Sequence, residues 1–186
     1  MNAVYIDNIN NNIELKNGIQ LTLRKATVED ANDIIEYLNI VGGESSNLLF
    51  GEDDFNPSID QYKTYIKNIN KSKTSLMLLG IINNRIVSVS QISGNNNKRI
   101  SHNSELVISV KKEYWRNKVG SFAMEKLIKF AKDTNHIKTI SLGVKEDNHN
   151  AIKLYKNHGF VEVGVHKNFF NINGDYYDEI LMDLYI

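Results

Sequence analysis

The chain has 186 residues, no cysteine, and 22 basic and 22 acidic residues, so its formal net charge is zero. This length suits one domain, and the lack of cysteine excludes a disulfide framework, a cysteine-based zinc site and a cysteine acyl-enzyme. Because general polyanion binders are usually basic, nucleic acid is disfavoured as the main partner.

The first residues lack the features of a targeting segment. Residues 1–18 are rich in Asn and have neither the basic start nor the continuous apolar core of a signal peptide. No apolar run reaches the roughly 18 residues that a bilayer requires. We expect a loose or strand-like N-terminal extension over 1–18, a single domain over 19–186, a cytoplasmic location and no membrane partner.

The first part of the domain alternates between strand and helix patterns. Ile19–Arg24 alternates apolar and polar residues, which predicts a half-buried strand. Thr27 is predicted to cap a helix, with Asp30 at its third position, that ends near Gly42-Gly43. A loop follows over Glu44–Pro57, and Ser58 is predicted to cap a second helix.

The rest of the domain reads as strands with two further helices. Ser75–Ile82 and Arg85–Ser93 are predicted to form a hairpin through Asn83-Asn84, and His102–Val110 is the next strand. The remaining predicted elements are a helix from Val119, a strand Thr139–Val144, a helix Asn148–His158, and a hairpin of Phe160–Asn171 with Tyr176–Tyr185. The sum is an α/β (α+β) fold: one mixed, mostly antiparallel sheet of about seven strands with about four helices on both faces.

The stretch Ser109–Ala131 runs from the end of a strand through a basic turn into an amphipathic helix. A helix N-terminus presents unpaired N–H groups and the positive end of its dipole, which together favour an anion. Gly120 lets a ligand approach the backbone closely. Four cations lie within eight residues: Lys111, Lys112, Arg116 and Lys118. We therefore predict a phosphate-bearing ligand here, although the G-x-G-x-x-G and phosphate-loop patterns are absent.

A second stretch, residues 142–164, carries residues at fixed spacing. Each has a purely structural interpretation: Asn148 as an N-cap, Ala151 and Tyr155 as one helical face, and Gly159 as a C-cap. Its full pattern is N-x-x-A-x-x-L-Y-x-x-x-G-F, matched by Asn148, Ala151, Leu154, Tyr155, Gly159 and Phe160.

Together, the two stretches resemble the GCN5-related N-acetyltransferase (GNAT) family over about residues 19–186. The second pattern matches a family motif completely. The family's acyl-CoA signature, Q/R-x-x-G-x-G/A, aligns with Trp115 to Gly120. Trp115 stands where the family commonly has Gln or Arg, and Lys118 stands where it has Gly.

The resemblance implies that acetyl-CoA lies between the predicted fourth and fifth strands, which splay apart. The backbone of Ile108, Ser109 and Val110 would pair with the pantetheine arm, and Asn148 would contact the cofactor near Tyr155. The pyrophosphate would rest on the amides of Arg116, Asn117, Lys118, Val119, Gly120 and Ser121. No metal is implied, and many relatives are homodimers.

The implied reaction is direct attack by an amine on the thioester, since there is no Cys. Tyr155 would donate a proton to the leaving thiolate, with a buried aromatic packing role as the alternative. Deprotonating an alkyl amine of pKa about 10.4 at pH 7 costs about 4.6 kcal/mol, so a base matters. Glu105 is the candidate base, unless it is simply a solvent-facing strand residue, and His102 is the second candidate.

Two other functions stay open on the sequence. One is a non-catalytic acyl-CoA-binding module of the same fold, and the other is a nucleotide-binding α/β regulator, against which the missing glycine-rich patterns weigh. The amine acceptor is a small molecule, a protein N-terminus or a lysine. It depends on the loop at Glu44–Phe55 and on the last hairpin, and neither carries a diagnostic pattern. We interpret Lys118 as a phosphate contact that offsets the loss of the usual Gly.

Overall fold

The computed structural model describes residues 11–16 and 18–186, in which one eight-stranded sheet is flanked by four α-helices. The strands are β1 (Asn11–Glu14), β2 (Gln20–Lys25), β3 (Leu76–Ile82), β4 (Arg85–Gly94), β5 (Asn103–Val110), β6 (Thr139–Lys145), β7 (Val161–Ile172) and β8 (Asp175–Tyr185). The helices are α1 (Ala31–Glu44), α2 (Ile59–Lys71), α3 (Val119–Asp133) and α4 (His149–Asn157). None of the helices in this part of the chain is long and apolar enough to cross a membrane.

The strand order is β1-β2-β3-β4-β5-β6-β8-β7, and every neighbouring pair is antiparallel except β5 and β6. The predicted class, a mixed and mostly antiparallel sheet covered by helices, is confirmed. The sheet has eight strands rather than about seven because β1 pairs with β2, with Ile13 opposite Leu21. The expected N-terminal extension is thus strand-like over 11–14, whereas residues 1–10 and 17 lie outside the described part of the chain.

The helices cover both faces of the sheet, as β3 makes clear. Because successive side chains of a strand point to opposite faces, Leu76 and Leu78 join the core under α3 and α4. Met77 and Leu79 join the core under α1 and α2. This two-sided burial explains why β3 is apolar throughout rather than alternating.

Ser58 caps α2 as predicted, whereas Thr27 caps a short 3-10 turn, Val28–Asp30, and Asp30 is the N-cap of α1. Asp30 accepts a hydrogen bond of 2.8 Å from the Thr27 backbone N–H, and Ser58 Oγ accepts one of 3.2 Å from Gln61 N–H. Helix α1 runs through Gly42-Gly43 and ends at Glu44. A β-carbon at Gly42 would lie 2.3 Å from the Gly51 carbonyl oxygen, so this glycine permits close packing of the following loop instead of ending the helix.

The sheet opens between β5 and β6. Their parallel pairing covers only Asn103–Glu105 against Thr139–Ser141. Beyond Glu105, β5 continues to pair with β4, and β6 continues to pair with β8. The facing edges of these two strands therefore separate, as predicted for the fourth and fifth strands of the expected fold.

Candidate functional site

A cleft of about 890 Å³ lies where β5 and β6 separate. The turn before α3, the start of α4 and the loop after α1 complete its walls. The predicted site residues that line it are Glu105, Ile108, Ser109, Val110, Arg116, Lys118, Val119, Gly120, Ser121, Asn148 and Tyr155. Asn117 and His102 are not among the lining residues; the Asn117 amide instead donates a hydrogen bond of 3.3 Å to the Trp115 carbonyl oxygen.

The turn at one end of the cleft has an unusual backbone. Arg116 and Lys118 both adopt left-handed conformations, with φ of 63° and 64°. Lys118 is the N-cap of α3, so the N–H groups of Val119, Gly120 and Ser121 belong to the first turn, where no intrahelical acceptor exists. These N–H groups and two flanking cations suit an anion.

Gly120 keeps the passage beside this turn open. A β-carbon there would lie 3.4 Å from Leu154, 3.7 Å from Ile108 and 3.8 Å from Val110, all of which line the cleft. These are ordinary contact distances, so a side chain at position 120 would occupy cleft space without disrupting the backbone. The residues present therefore fit an extended, phosphate-bearing ligand that passes between β5 and α4.

Tyr155 lies on the face of the sheet covered by α3 and α4. Its side chain is buried against Phe160, with ring centroids 5.9 Å apart. Its hydroxyl has no hydrogen-bond partner among the described residues. Burial raises the pKa of Tyr155 to about 12, so the hydroxyl stays protonated at neutral pH and can act as a proton donor. The predicted capping residues of α4 are also in place. Asn148 Oδ1, at the N-terminus of α4, accepts a hydrogen bond of 3.3 Å from the Ala151 N–H, and Gly159, just after the C-terminus of α4, has a φ of 91°.

Glu105 lies on the opposite face. It pairs with Ser141 at the last position before the strands part, and its side chain is exposed within the cleft. Ser109, four residues along the same face of β5, accepts a hydrogen bond of 3.2 Å from the Tyr37 hydroxyl of α1. Tyr155, the candidate acid, and Glu105, the candidate base, therefore face the gap between β5 and β6 from opposite sides of the sheet.

Glu179 is a cleft residue that the sequence interpretation missed. It lies on β8, is 9 % exposed, and its Oε2 is 2.9 Å from Nδ1 of His166. In the sequence, the feature that could have pointed to Glu179 is an acidic residue within a predicted strand, directly before the apolar Ile180 and Leu181. That signal alone does not say which neighbouring strands the carboxylate faces. Across residues 11–16 and 18–186, no group of three or more His, Asp or Glu side chains is positioned to hold a metal ion.

Comparison with known proteins agrees with this architecture. A protein-family model described as an acetyltransferase (GNAT) domain matches residues 23–181. A GNAT-family acetyltransferase from Streptococcus pneumoniae is 28 % identical, with a TM-score of 0.87 over 89 % of this chain and 99 % of that chain. No curated protein matches the sequence.

Two more distant structures share the fold and were solved with acetyl-CoA. The putative acetyltransferase yncA from Salmonella typhimurium is 16 % identical, with a TM-score of 0.77 over 89 % of this chain and 93 % of that one. A phosphinothricin acetyltransferase from Sinorhizobium meliloti is 15 % identical, with a TM-score of 0.78 over 89 % of this chain and 88 % of that one.

Proposed function

Because the chain belongs to the GNAT family of acetyltransferases, we propose that it transfers an acetyl group from acetyl-CoA to a primary amine by direct attack in a ternary complex. The observation that carries the proposal is the cleft between β5 and β6. It is lined both by a turn whose N–H groups and cations suit an anion and by a buried tyrosine that stays protonated at neutral pH. The acceptor is a small molecule, a protein N-terminus or a lysine side chain.

The position proposed for acetyl-CoA is the one that the family resemblance implies, and the chemistry of the cleft supports it. Its pyrophosphate would accept hydrogen bonds from the first N–H groups of α3, beside Arg116 and Lys118. Its pantetheine arm would pair with the edge of β5 over Ile108–Val110, which is free of β6 beyond Glu105. Asn148 would contact it from the start of α4.

In the proposed reaction, the amine nitrogen attacks the thioester carbon and the carbon–sulfur bond breaks. The thiolate that leaves takes a proton from the Tyr155 hydroxyl. The ammonium group loses one proton to Glu105, directly or through water, before attack. After attack, the positively charged nitrogen loses a second proton, which passes through solvent to the Tyr155 oxygen and restores its hydroxyl. Removing the first proton from an alkyl amine of pKa about 10.4 costs about 4.6 kcal/mol at pH 7, whereas an α-amine of pKa about 8 costs about 1.4 kcal/mol.

A direct test follows free thiol release from acetyl-CoA over a broad panel of amines. We expect release that depends on both substrates and saturates with each, without an acetylated enzyme when the amine is withheld. Failure to bind acetyl-CoA would refute the proposal entirely.

A second candidate is a non-catalytic acyl-CoA-binding module. The observation that favours it is Lys118, whose side chain and left-handed backbone stand where the family usually has Gly. Calorimetric binding of acetyl-CoA without turnover of any amine would support this alternative. The Tyr155 hydroxyl lines the cleft and has no hydrogen-bond partner in the described part of the chain, which favours catalysis instead.

A further inference from the structure

The Glu179 side chain is largely buried, yet only one of its carboxylate oxygens is bonded to another described residue. The residue is 9 % exposed, and its Oε2 contacts the His166 imidazole at 2.9 Å. Its Oε1 has no hydrogen-bond partner among the described residues. Only Asn70, Ser88 and Ser90 have buried side-chain atoms without a partner in the described part of the chain, so Oε1 of Glu179 is open to the cleft and can accept a hydrogen bond from a ligand.

Gly143 determines where this oxygen lies. A β-carbon on Gly143 would be 2.0 Å from Glu179 Oε1, so the carboxylate occupies the space that a side chain of β6 would otherwise fill. Gly143 is two residues beyond Ser141, the last β6 residue that pairs with β5. The free oxygen therefore lies over the opening between β5 and β6, about 7 Å along the strand from the last pair.

Glu105 lies on the same face of the sheet. It pairs with Ser141, and Ser141 and Gly143 point to one face because they are two residues apart. This is the face toward α1, opposite the face of Tyr155. A nucleophile that approached the gap from this side would meet two carboxylates, while the thiolate would meet the Tyr155 hydroxyl on the other side.

One further carboxylate, Glu44, contacts the basic turn, so both signs of charge occur at that end of the cleft. The cations that line it, Arg116 and Lys118, belong to the turn before α3. Of the other carboxylates, Glu44 accepts a hydrogen bond of 2.7 Å from the Lys112 backbone N–H, and Asp147 is paired with Lys145 Nζ at 2.5 Å. Phe170, which is buried, adds an apolar wall on the side of Glu179.

We propose that Glu179 and Glu105 together select the acceptor, which is an alkyl or arylalkyl amine without a carboxylate on the carbon that bears the amine. Glu179 Oε1 accepts a hydrogen bond from the ammonium group, and His166 holds the carboxylate in place through Oε2. Phe170 packs against the apolar skeleton of the amine. A carboxylate beside the amine would lie close to two like charges, and free α-amino acids are therefore poor acceptors. This inference rests on the proposed acetyltransferase function.

The test compares amines in matched pairs that differ by one carboxylate: 2-phenylethylamine with phenylalanine, 3-methylbutylamine with leucine, and cadaverine with lysine. We expect the decarboxylated member to have a kcat/KM at least about tenfold higher in each pair that reacts. In the first two pairs the amino acid has the less basic amine, so amine ionisation alone would favour the opposite order. Equal rates, or a preference for the amino acids, would overturn the inference.

Glu179→Gln keeps the size of the side chain and removes its charge. We expect the KM for the simple amines to rise roughly 10- to 100-fold, as for a lost hydrogen bond to a charged group, with the KM for acetyl-CoA unchanged within a few-fold. Gly143→Ala, whose β-carbon displaces Oε1 of Glu179, should also raise the KM for the simple amines. Asp183→Asn is the matched control, since Asp183 lies on the same strand and face as Glu179 but outside the cleft. It should leave both KM values unchanged.

The outcomes separate the two proposals. If the wild-type protein releases thiol with other amines but does not prefer the decarboxylated members, or if Glu179→Gln leaves the preference intact, the selectivity inference is wrong and the acetyltransferase function stands. If the wild-type protein neither binds acetyl-CoA nor acetylates any amine, the proposed function fails and the inference fails with it. A thermal melt of each variant shows whether a loss reflects unfolding.

Discussion

The indole N–H of Trp115 donates a hydrogen bond of 2.7 Å to the carbonyl oxygen of Val110, the last residue of β5. This bond fixes the ring at the cleft wall, where 38 % of the residue is exposed. Trp115 is the only tryptophan of the chain, so intrinsic tryptophan fluorescence reports on the cleft alone.

The first prediction concerns cofactor binding. Titration with acetyl-CoA should change the Trp115 fluorescence saturably, with a Kd between about 1 µM and 1 mM that calorimetry reproduces. CoA should compete, and dephospho-CoA should bind somewhat less well. Trp115→Phe is the control for the optical signal. The absence of both a heat signal and a fluorescence change at millimolar acetyl-CoA would contradict the family-based expectation.

The second prediction concerns Tyr155. Tyr155→Phe should lower kcat roughly ten- to ten-thousand-fold and leave acetyl-CoA affinity within a few-fold, because it removes a proton donor but keeps the ring. Since burial raises the pKa of Tyr155 to about 12, its ionisation should not reduce wild-type kcat below about pH 11. Tyr62→Phe, a buried tyrosine of α2 outside the cleft, is the matched control. An unchanged kcat in Tyr155→Phe would mean that water serves the thiolate.

The third prediction concerns Glu105. Glu105→Gln should reduce turnover most for strongly basic amines, because these carry the larger cost of deprotonation at neutral pH. Raising the pH should restore part of the rate as more amine becomes neutral. The check is a pH–rate profile with one alkyl amine and one α-amine. A loss of equal size at every pH would instead indicate a packing role for Glu105.

The fourth prediction concerns Lys118, whose φ is 64°. Lys118→Gly should keep acetyl-CoA binding but reduce its dependence on salt, because it removes one cation near the phosphates and relieves a strain of about 1–2 kcal/mol. Lys118→Ala keeps the β-carbon and loses the charge, so it should bind acetyl-CoA more weakly than both the wild type and Lys118→Gly. It should also be about 1 kcal/mol less stable than Lys118→Gly.

Calorimetric titrations at several salt concentrations, together with denaturant unfolding, measure these effects. Much tighter binding in Lys118→Gly with an unchanged salt dependence would show that Lys118 impairs the turn. The phosphate-contact interpretation would then be wrong.

The fifth prediction concerns the start of α1. The Arg24 guanidinium contacts both oxygens of Asp30, at 2.6 and 2.7 Å. Burial would raise the pKa of Asp30, but hydrogen bonds from Arg24 and Thr27 outweigh it and hold the pKa below its usual value. A depressed pKa contributes stability above the unfolded-state value of about 3.9, and that stability is lost as the pH falls through the folded-state pKa.

Asp30→Asn should therefore reduce the free energy of unfolding at pH 7 by about 1–2 kcal/mol, less than for a fully buried pair because the Arg24 side chain is 31 % exposed. The deficit should shrink as the pH falls below about 4. Denaturant unfolding at several pH values measures it. A deficit that stays constant down to pH 2–3 would show that the carboxylate's charge is not involved.

Local signals predicted much of this molecule. The capping residues Ser58 and Asn148 act within a few positions of themselves, so α2 and α4 begin where the sequence indicates. A 3-10 turn follows Thr27, and α1 begins only at Ala31. The basic turn and the Asn148–Phe160 pattern likewise lie within short segments, and both reach the same cleft. Their convergence was expected only through the resemblance to a known family, since it depends on β5 and β6 lying side by side.

Features that depend on distant pairing escaped prediction. The strand β1 consists of the residues NNIE, in which Ile13 is the only apolar residue, so its pairing with β2 is invisible in the local pattern. The contact of Glu179 with Gly143 joins residues far apart in the chain and depends on the β6–β8 register. An irregular register between His166 and Phe170 adds to the difficulty, because it breaks the regular alternation of β7.

The pairing of β1 with β2 also has a practical consequence for where the chain can be shortened. A protein that began at Ile19 would lose β1 and Leu15, which is 3 % exposed in the intact molecule. The outer edge of β2 would then present a row of unpaired N–H and C=O groups, and such edges recruit strands from other chains. Shortening at this boundary would therefore favour aggregation even though every residue of the cleft was retained.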